Sequence, residues 1–577
     1  MKNNSVTLFE KISFLKPVLS RLSKLMTRRQ KILMGLVLTV IIGFSLVETI
    51  GISAIMPFIS IVSDTSLLES GYYKTAFDFF GFATAEKFII TFGILIIIFY
   101  IFRGVYSIFQ TYLIKRFSLG MYKYFTKKAL NINLTIPYRL YAQKNSGELI
   151  RAIGTETNEI GKVVLNFLHL CSEVFTVLMI YAIIVILNWK MTLVITAILF
   201  FIVIILLSIL TKIISKQGKL RFITGRKMSK ILKESLGNIK YVKLKGNEDE
   251  VINAYGGALN LNSRAELLSH VLGAMPKSIL ESIGFSFLIA VIVVIIFINN
   301  DASSVIPIIS MYALALYRIL PSINRMLQEI NGIVFSEETL IKIYENLNQT
   351  VDNEGKSPIN FDRSIRLENI FFQYITGGDV ISGISLEIKK GEKVAFTGES
   401  GGGKSTLIDL ITGIHKPNSG IVYIDGIAVT NDNIRAWRQK IGYIPQSIYL
   451  FDGTVAENVC FGSKYDEEKI KNALIKANIW DFLSQKEGLN TCVGDGGIQL
   501  SGGQQQRICI ARAIYDDPEV LVLDEATSAL DNETEQKIMD EIYSVSANKT
   551  LIVIAHRLTT VERCDRKIRI ISGRLAE

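Results

Sequence analysis

Six runs of mostly apolar residues, near Ile32 to Val62, Phe88 to Ile114, Val163 to Leu187, Met191 to Ile214, Leu268 to Ile298 and Ser303 to Val334, restrict what this chain can become. Each is long enough to cross a hydrocarbon core of about 30 Å as a helix of roughly 20 residues. Inside lipid every backbone polar group must be bonded internally, so the expected structure is six membrane-spanning helices. Several runs exceed the minimum, which predicts tilt or continuation into water. Lys and Arg crowd the N-terminal tail, the Lys115 to Lys162 connection and the Lys212 to Arg264 connection, whereas Asp301 is the only charge between the last two runs. That bias predicts both chain ends on the cytosolic side.

The net charge of +10 therefore sits beside apolar spans rather than in a basic stripe on a folded domain, and it argues for membrane topology over nucleic acid. Five cysteines, Cys171, Cys460, Cys492, Cys509 and Cys564, are an odd count without regular spacing and read as reduced thiols. The basic N-terminal stretch has no short apolar core with a small-residue cleavage site, so no cleaved signal peptide is expected.

Between the first two spans, Leu68, Tyr72, Ala76, Phe79 and Phe80 recur at helical spacing among Asp64, Glu69, Lys74 and Asp78. The pattern suits an amphipathic helix at the outer interface, where Leu68, Tyr72 and Phe79 would meet a lipid tail, and it equally suits a loop packed on the bundle.

Glu48, Arg103, Glu173, Lys277, Glu281, Arg318 and Arg325 lie within or at the ends of the apolar runs, where charge is expensive and usually faces a polar cavity or a partner. At about 1.5 Å per residue from the outer ends, Arg103 and Arg318 sit roughly 22 Å deep and Lys277 and Arg325 roughly 32 Å deep. In two copies Arg103, Lys277, Arg318 and Arg325 would line a chamber suited to phosphate oxygens. The same residues also suit ion pairs with Glu48, Glu173 and Glu281, or snorkelling toward inner-leaflet headgroups.

After Val334 the apolar pattern ends, and a polar stretch with Asp352, Glu354, Gly355 and Pro358 reads as a linker. The predicted division is a transmembrane domain over 1–335, a linker over 336–365 and a mixed α/β nucleotide domain over 366–577, with strand-like runs at Ser385 to Ile388, Lys393 to Thr397 and Val520 to Leu523. Gly398-Glu399-Ser400-Gly401-Gly402-Gly403-Lys404-Ser405 is a Walker A loop, whose glycines let backbone N–H groups converge on phosphates. Lys404 is expected on the β- and γ-phosphates and Ser405 on Mg2+. The strand Val520-Leu521-Val522-Leu523 delivers Asp524 to the metal and Glu525 to the attacking water. A motor of this kind needs a mechanical link, and the tips of the two long basic connections, read as helical hairpins, are expected to dock on the nucleotide domain.

With Leu500-Ser501-Gly502-Gly503-Gln504 added to the Walker A loop, the chain resembles an ABC exporter half-transporter along essentially its whole length, with the type IV, exporter-like architecture. The resemblance implies that Tyr374 stacks on adenine, that Gln446 of Tyr443-Ile444-Pro445-Gln446 is the Q-loop glutamine beside the metal, that Ser528-Ala529-Leu530-Asp531 is the D-loop, and that His556 is the switch histidine. It implies ATP held by Tyr374, the Walker A residues with Thr406, Gln446, Ser501, Gly502, Gly503, Gln504 and Asp531, where the Leu500 to Gln504 segment and the Walker A loop come from different chains. Two chains are then required, and the intact motifs make a homodimer the simplest case. Asp495 in Val493-Gly494-Asp495-Gly496-Gly497 stands where many exporters carry Glu.

Within that family the chain is most similar to bacterial flippases for lipid-linked oligosaccharides of protein N-glycosylation, the protein glycosylation K type. The stretches concerned are Phe99-Tyr100-Ile101-Phe102-Arg103, Leu314-Ala315-Leu316-Tyr317-Arg318 with Asn324-Arg325, Lys440-Ile441-Gly442-Tyr443-Ile444-Pro445-Gln446, and Val493 to Gly497. The resemblance implies a polyprenyl-pyrophosphate oligosaccharide moved outward across a bacterial inner membrane. The alternatives are a lipid A or multidrug exporter of the same architecture, and, from another class, an ATP-gated channel or regulator.

Overall fold

The computed structural model describes residues 15–69, 71–187, 189–299, 306–375, 377–524, 532–554 and 561–576. Contacts divide the chain into two compact units: Met1–Leu134 with Lys144–Gln349, and Thr135–Gln143 with Thr350–Glu577.

The first unit is helical. Its long helices are α1 (Arg28–Ser63), α2 (Ala85–Thr135), α3 (Thr157–Leu187), α4 (Trp189–Gly237), α5 (Glu248–Asn299) and α6 (Ile306–Phe335). At 51, 49 and 52 residues, α2, α4 and α5 reach beyond any bilayer, since about 50 residues of helix extend roughly 75 Å against a core of about 30 Å. Among the described residues, Arg28–Ser63, Ala85–Thr135, Ser146–Ile186 and Leu199–Gly237 are long and apolar enough to cross a membrane. The last two expected spans fall on α5 and α6, which include side chains outside the described set.

α1 starts where Thr27 and Gln30 cap one another: Gln30 N–H donates to Thr27 Oγ1 at 3.3 Å and Thr27 N–H to Gln30 Oε1 at 2.8 Å. α4, α5 and α6 share a buried seam of Leu199, Leu206, Leu210, Ile214, Leu280, Leu320, Leu327 and Val334. The four- and seven-residue steps between those positions on α4 and α6 keep them on one face of each helix. By contrast Ile94, Ile97, Ile98, Ile101, Val105 and Ile108 of α2 are all more than half exposed, as a lipid-facing surface requires.

The segment between α1 and α2 forms a short 3-10 turn, Thr65–Glu69, and a helix, Gly71–Phe79. The expected stripe is corrected here. Leu68 turns inward and packs with Ile61 and Phe88, joined by Tyr73 and Phe77. Phe79 and Phe80 remain on the surface, at 82% and 68% exposure, and the Tyr72 side chain lies outside the described residues. Within 336–365, expected as the linker, Glu337–Leu347 is a helix of the first unit.

The second unit is α/β. A four-stranded antiparallel sheet runs β2-β1-β4-β5, and a six-stranded sheet runs β10-β9-β3-β8-β7-β6. Here β1 is Ser364–Gln373, β2 Asp379–Lys389, β3 Lys393–Thr397, β4 Ser419–Ile424, β5 Ile427–Ala428, β6 Ile441–Ile444, β7 Val520–Asp524, β8 Thr550–Ile554, β9 Arg566–Ile571 and β10 Arg574–Ala576. In the larger sheet β9, β3, β8, β7 and β6 run parallel, and every residue of β7 and β8 is buried. Parallel strands of this kind aim the ends of β3 and β7 at one crevice beyond their carboxyl edge.

Candidate functional site: a phosphate loop and two intramembrane ion pairs

At the carboxyl end of β3 the chain winds through the Walker A loop into α7 (Lys404–Ile411). Two glycines have no substitute here. Gly398 has φ +134° and a Cβ there would lie 2.1 Å from Ile570 O, while Gly403 has φ +100° and caps α7. Lys404 is buried, and its ammonium donates to the carbonyls of Gly398 at 2.9 Å and Glu399 at 2.8 Å. The loop is thereby wound around its own cation, with the α7 N-terminus adding positive potential. Ser405 is exposed beside it, and Thr406, one residue on, is buried.

Asp524 ends β7, where Tyr443 of the adjacent β6 donates its hydroxyl to Asp524 Oδ2 at 2.8 Å. Burial, and next the Asp524 charge, push the Tyr443 phenol far above its ordinary range, so it remains a donor. Asp409 on α7 shares this electrostatic environment: burial and then Asp524 push its carboxyl up to about 6. The hydroxyl of Ser405, the exposed amide of Gln446 and the Asp524 carboxylate are hard oxygen donors, the set that suits Mg2+. Those residues would hold the ion, which neutralises charge on the nucleotide phosphates when bound.

The Leu500-Ser501-Gly502-Gly503-Gln504 segment opens α8 (Gly502–Ile514) through a reciprocal cap. Ser501 N–H donates to Gln504 Oε1 at 2.9 Å, and Gln504 N–H to Ser501 Oγ at 3.4 Å. Gln505 ties this helix to the Asp495 loop by donating to Gly497 O at 2.8 Å and Leu500 O at 3.2 Å. Tyr374 hydrogen-bonds Thr406 hydroxyl to hydroxyl at 3.1 Å. Glu525, Asp531 and His556 lie outside the described residues.

The basic residues of the first unit are placed differently from a free cationic lining. Arg103 grips Glu48 with two hydrogen bonds, and Arg325 grips Glu173 through Nε at 2.5 Å and a terminal nitrogen at 3.0 Å, that nitrogen also reaching Ser322 Oγ at 3.1 Å. Lys277 is exposed, and the Arg318 side chain lies outside the described residues. Of the two readings of these residues, phosphate-lined chamber or ion pairs, the structure shows ion pairs for Arg103 and Arg325, whose neighbouring carboxylates offset the cost of their charge in the bilayer.

Sequence reasoning passed over Tyr443 and Asp409 as functional groups. Tyr443 stood inside a quoted motif, but its role depends on β6 lying beside β7, with Tyr443 opposite Val522, and no local signal fixes that pairing.

The pattern described as ABC transporter matches residues 381–528, and that described as ABC transporter transmembrane region matches residues 32–320. The chain is 31% identical over 495 residues to the ATP-dependent lipid A-core flippase of Saccharophagus degradans, covering 84% of this chain and 82% of that protein. It is 31% identical over 449 residues to the heterocyst differentiation ATP-binding protein HepA of Nostoc, covering 76% and 72%. Among solved structures it is similar to a bacterial Atm1-family ABC exporter with ATP bound, with a TM-score of 0.74, 22% identity and coverage of 95% and 94%. The Saccharophagus degradans relative carries the name lipid A-core flippase where the sequence stretches implied a protein-glycosylation oligosaccharide flippase.

Proposed function

We propose, from the premise that the chain belongs to the ABC transporter family as an exporter half-transporter, that its cargo is a phosphorylated glycolipid of the lipid A class. Transport is driven by ATP in this family, and the α/β unit is its ATPase. The observation that carries the cargo assignment is the likeness to lipid A-core flippases over 84% of the chain, across membrane and ATPase parts together. The lipid would start in the cytosolic leaflet of a bacterial inner membrane, with both termini cytosolic, as the Lys and Arg bias supports. Two copies would act as a homodimer, each Walker A loop facing the other's Ser501 to Gln504 segment, because each helix N-terminus can complete a phosphate site.

In that cycle Lys404 and the loop amides hold the phosphates, Ser405, Gln446 and Asp524 would hold Mg2+, and Glu525 would orient the attacking water. His556 is assigned to the γ-phosphate side of the site. Of the intramembrane arginines, Arg325 is assigned to the anionic headgroup, through exchange of its carboxylate partner for a phosphate, since it keeps 41% of its side chain exposed while paired. Phe79 is left as the lipid-tail contact.

Reconstitution tests the cargo. Proteoliposomes are given labelled lipid A, a polyprenyl-pyrophosphate oligosaccharide or a neutral hydrophobic drug, and leaflet exchange is followed with and without ATP. ATP-dependent exchange of lipid A is expected. Exchange confined to the pyrophosphate lipid would return the cargo to the oligosaccharide class, and conductance with negligible hydrolysis would replace transport by gating.

A further inference from the structure

The segment Thr135–Gln143, which begins at the last residue of α2, belongs to the ATPase unit rather than to the helical one. Its short helix, Tyr138–Tyr141, stacks Tyr138 on Tyr141 with ring centroids 6.2 Å apart and sets Tyr138 against His415 at 5.5 Å. His415 is 4% exposed. On its other sides its ring meets Phe372 at 4.9 Å and Tyr374 at 5.5 Å, and its Nε2 lies 3.8 Å from Asp409 Oδ2. Tyr374 in turn packs edge-on against Phe372 at 5.1 Å and hydrogen-bonds Thr406, which follows the Walker A serine.

One buried imidazole therefore joins an aromatic of the α2 extension to the tyrosine that braces the first turn of the phosphate loop helix. We propose that His415 is a positioning residue for nucleotide binding, transmitting the placement of Tyr138 through Tyr374 to Thr406 and Ser405. The imidazole is enclosed by aromatic rings on its other sides, so pressure of the Tyr138 ring on it passes to Phe372 and Tyr374. A ring at position 415 is what the path needs. This proposal rests on the ATPase reading of the second unit.

The test uses the full-length protein in proteoliposomes, with KM for ATP and kcat measured separately. Tyr138→Ala is the principal variant because Tyr138 is 48% exposed and its removal leaves no large cavity. It is expected to raise KM for ATP about threefold to tenfold with kcat within about twofold, a loss of ground-state binding rather than of chemistry. His415→Ala is expected to do the same, His415→Phe to stay close to the parent, and the Tyr138→Ala/His415→Ala double variant to match either single variant. An unchanged KM in Tyr138→Ala, or additive effects in the double variant, overturns the relay. Lys404→Ala is run alongside: if it hydrolyses ATP normally, the ATPase reading itself has failed, a result separate from the fate of the relay.

Discussion

Arg103 and Glu48 form a two-pronged ion pair between α2 and α1, Nε to Oε2 at 2.6 Å and a terminal nitrogen to Oε1 at 2.7 Å, with Glu48 wholly buried. The planar fork meets the carboxylate along both oxygens. Arg103→Ala would remove both of these charge-assisted hydrogen bonds from a buried carboxylate, at a cost of about 3–5 kcal/mol. Thermal melting in detergent should show the loss, with ATPase activity and lipid exchange falling together. The Glu48→Gln/Arg103→Gln double variant should recover most of the melting temperature. Normal melting in Arg103→Ala with exchange alone abolished would restore Arg103 to the cargo.

The spans and the phosphate loop were legible in the sequence because hydropathy and glycine spacing are local properties. Lys393–Thr397 and Val520–Asp524 are strands where the apolar runs placed them. What local patterning leaves open is register: the sequence offers both ion pairs and a phosphate-lined chamber for the same arginines and does not say which carboxylate meets which arginine. Arg103 and Glu48 are 55 residues apart, and Arg325 and Glu173 are 152 apart, so their pairing depends on how neighbouring helices are rotated and staggered. Leu68 belonged to an apolar stripe, but its inward turn follows from the 3-10 turn that precedes the Gly71–Phe79 helix. Helical spacing counted across that break mixes two faces.

Tyr443→Phe deletes the donor to Asp524 without changing ring volume. A hydrogen bond to a charged group contributes about 1.5–3 kcal/mol, and Asp524 would lose its orientation by part of that amount. Hydrolysis titrated against Mg2+ should require about tenfold more ion for half-maximal rate, with the saturated rate retained. An unchanged Mg2+ requirement would make the contact purely structural.

Glu525→Gln keeps the shape of the side chain beside Asp524 and removes its charge. Positioned general bases contribute roughly 100-fold to 10,000-fold in rate. Hydrolysis should fall by at least that lower figure while ATP binding, read by nucleotide retention on gel filtration, persists. Lipid exchange should stop with it. Near-normal hydrolysis would assign the attacking water to another residue.

His415 also sets a pH dependence. Burial, and next the nearby Arg139 charge, lower its pKa below the ordinary 6.5, and Asp409, Arg139, Tyr138 and Tyr374 are the ionisable groups around it. The folded unit therefore holds this imidazole neutral, while the unfolded chain protonates it near 6.5. Between those two values the unfolded state binds more protons, so stability rises with pH there. The contribution is fully present above about 6.5 and is lost as pH falls toward the folded value. Melting temperatures between about pH 5 and 8 should drop on the acid side for the parent, and drop less for His415→Phe, whose ring cannot take a proton. If the two proteins lose stability in parallel, the acid sensitivity originates in other groups and the imidazole is protonated as readily folded as unfolded.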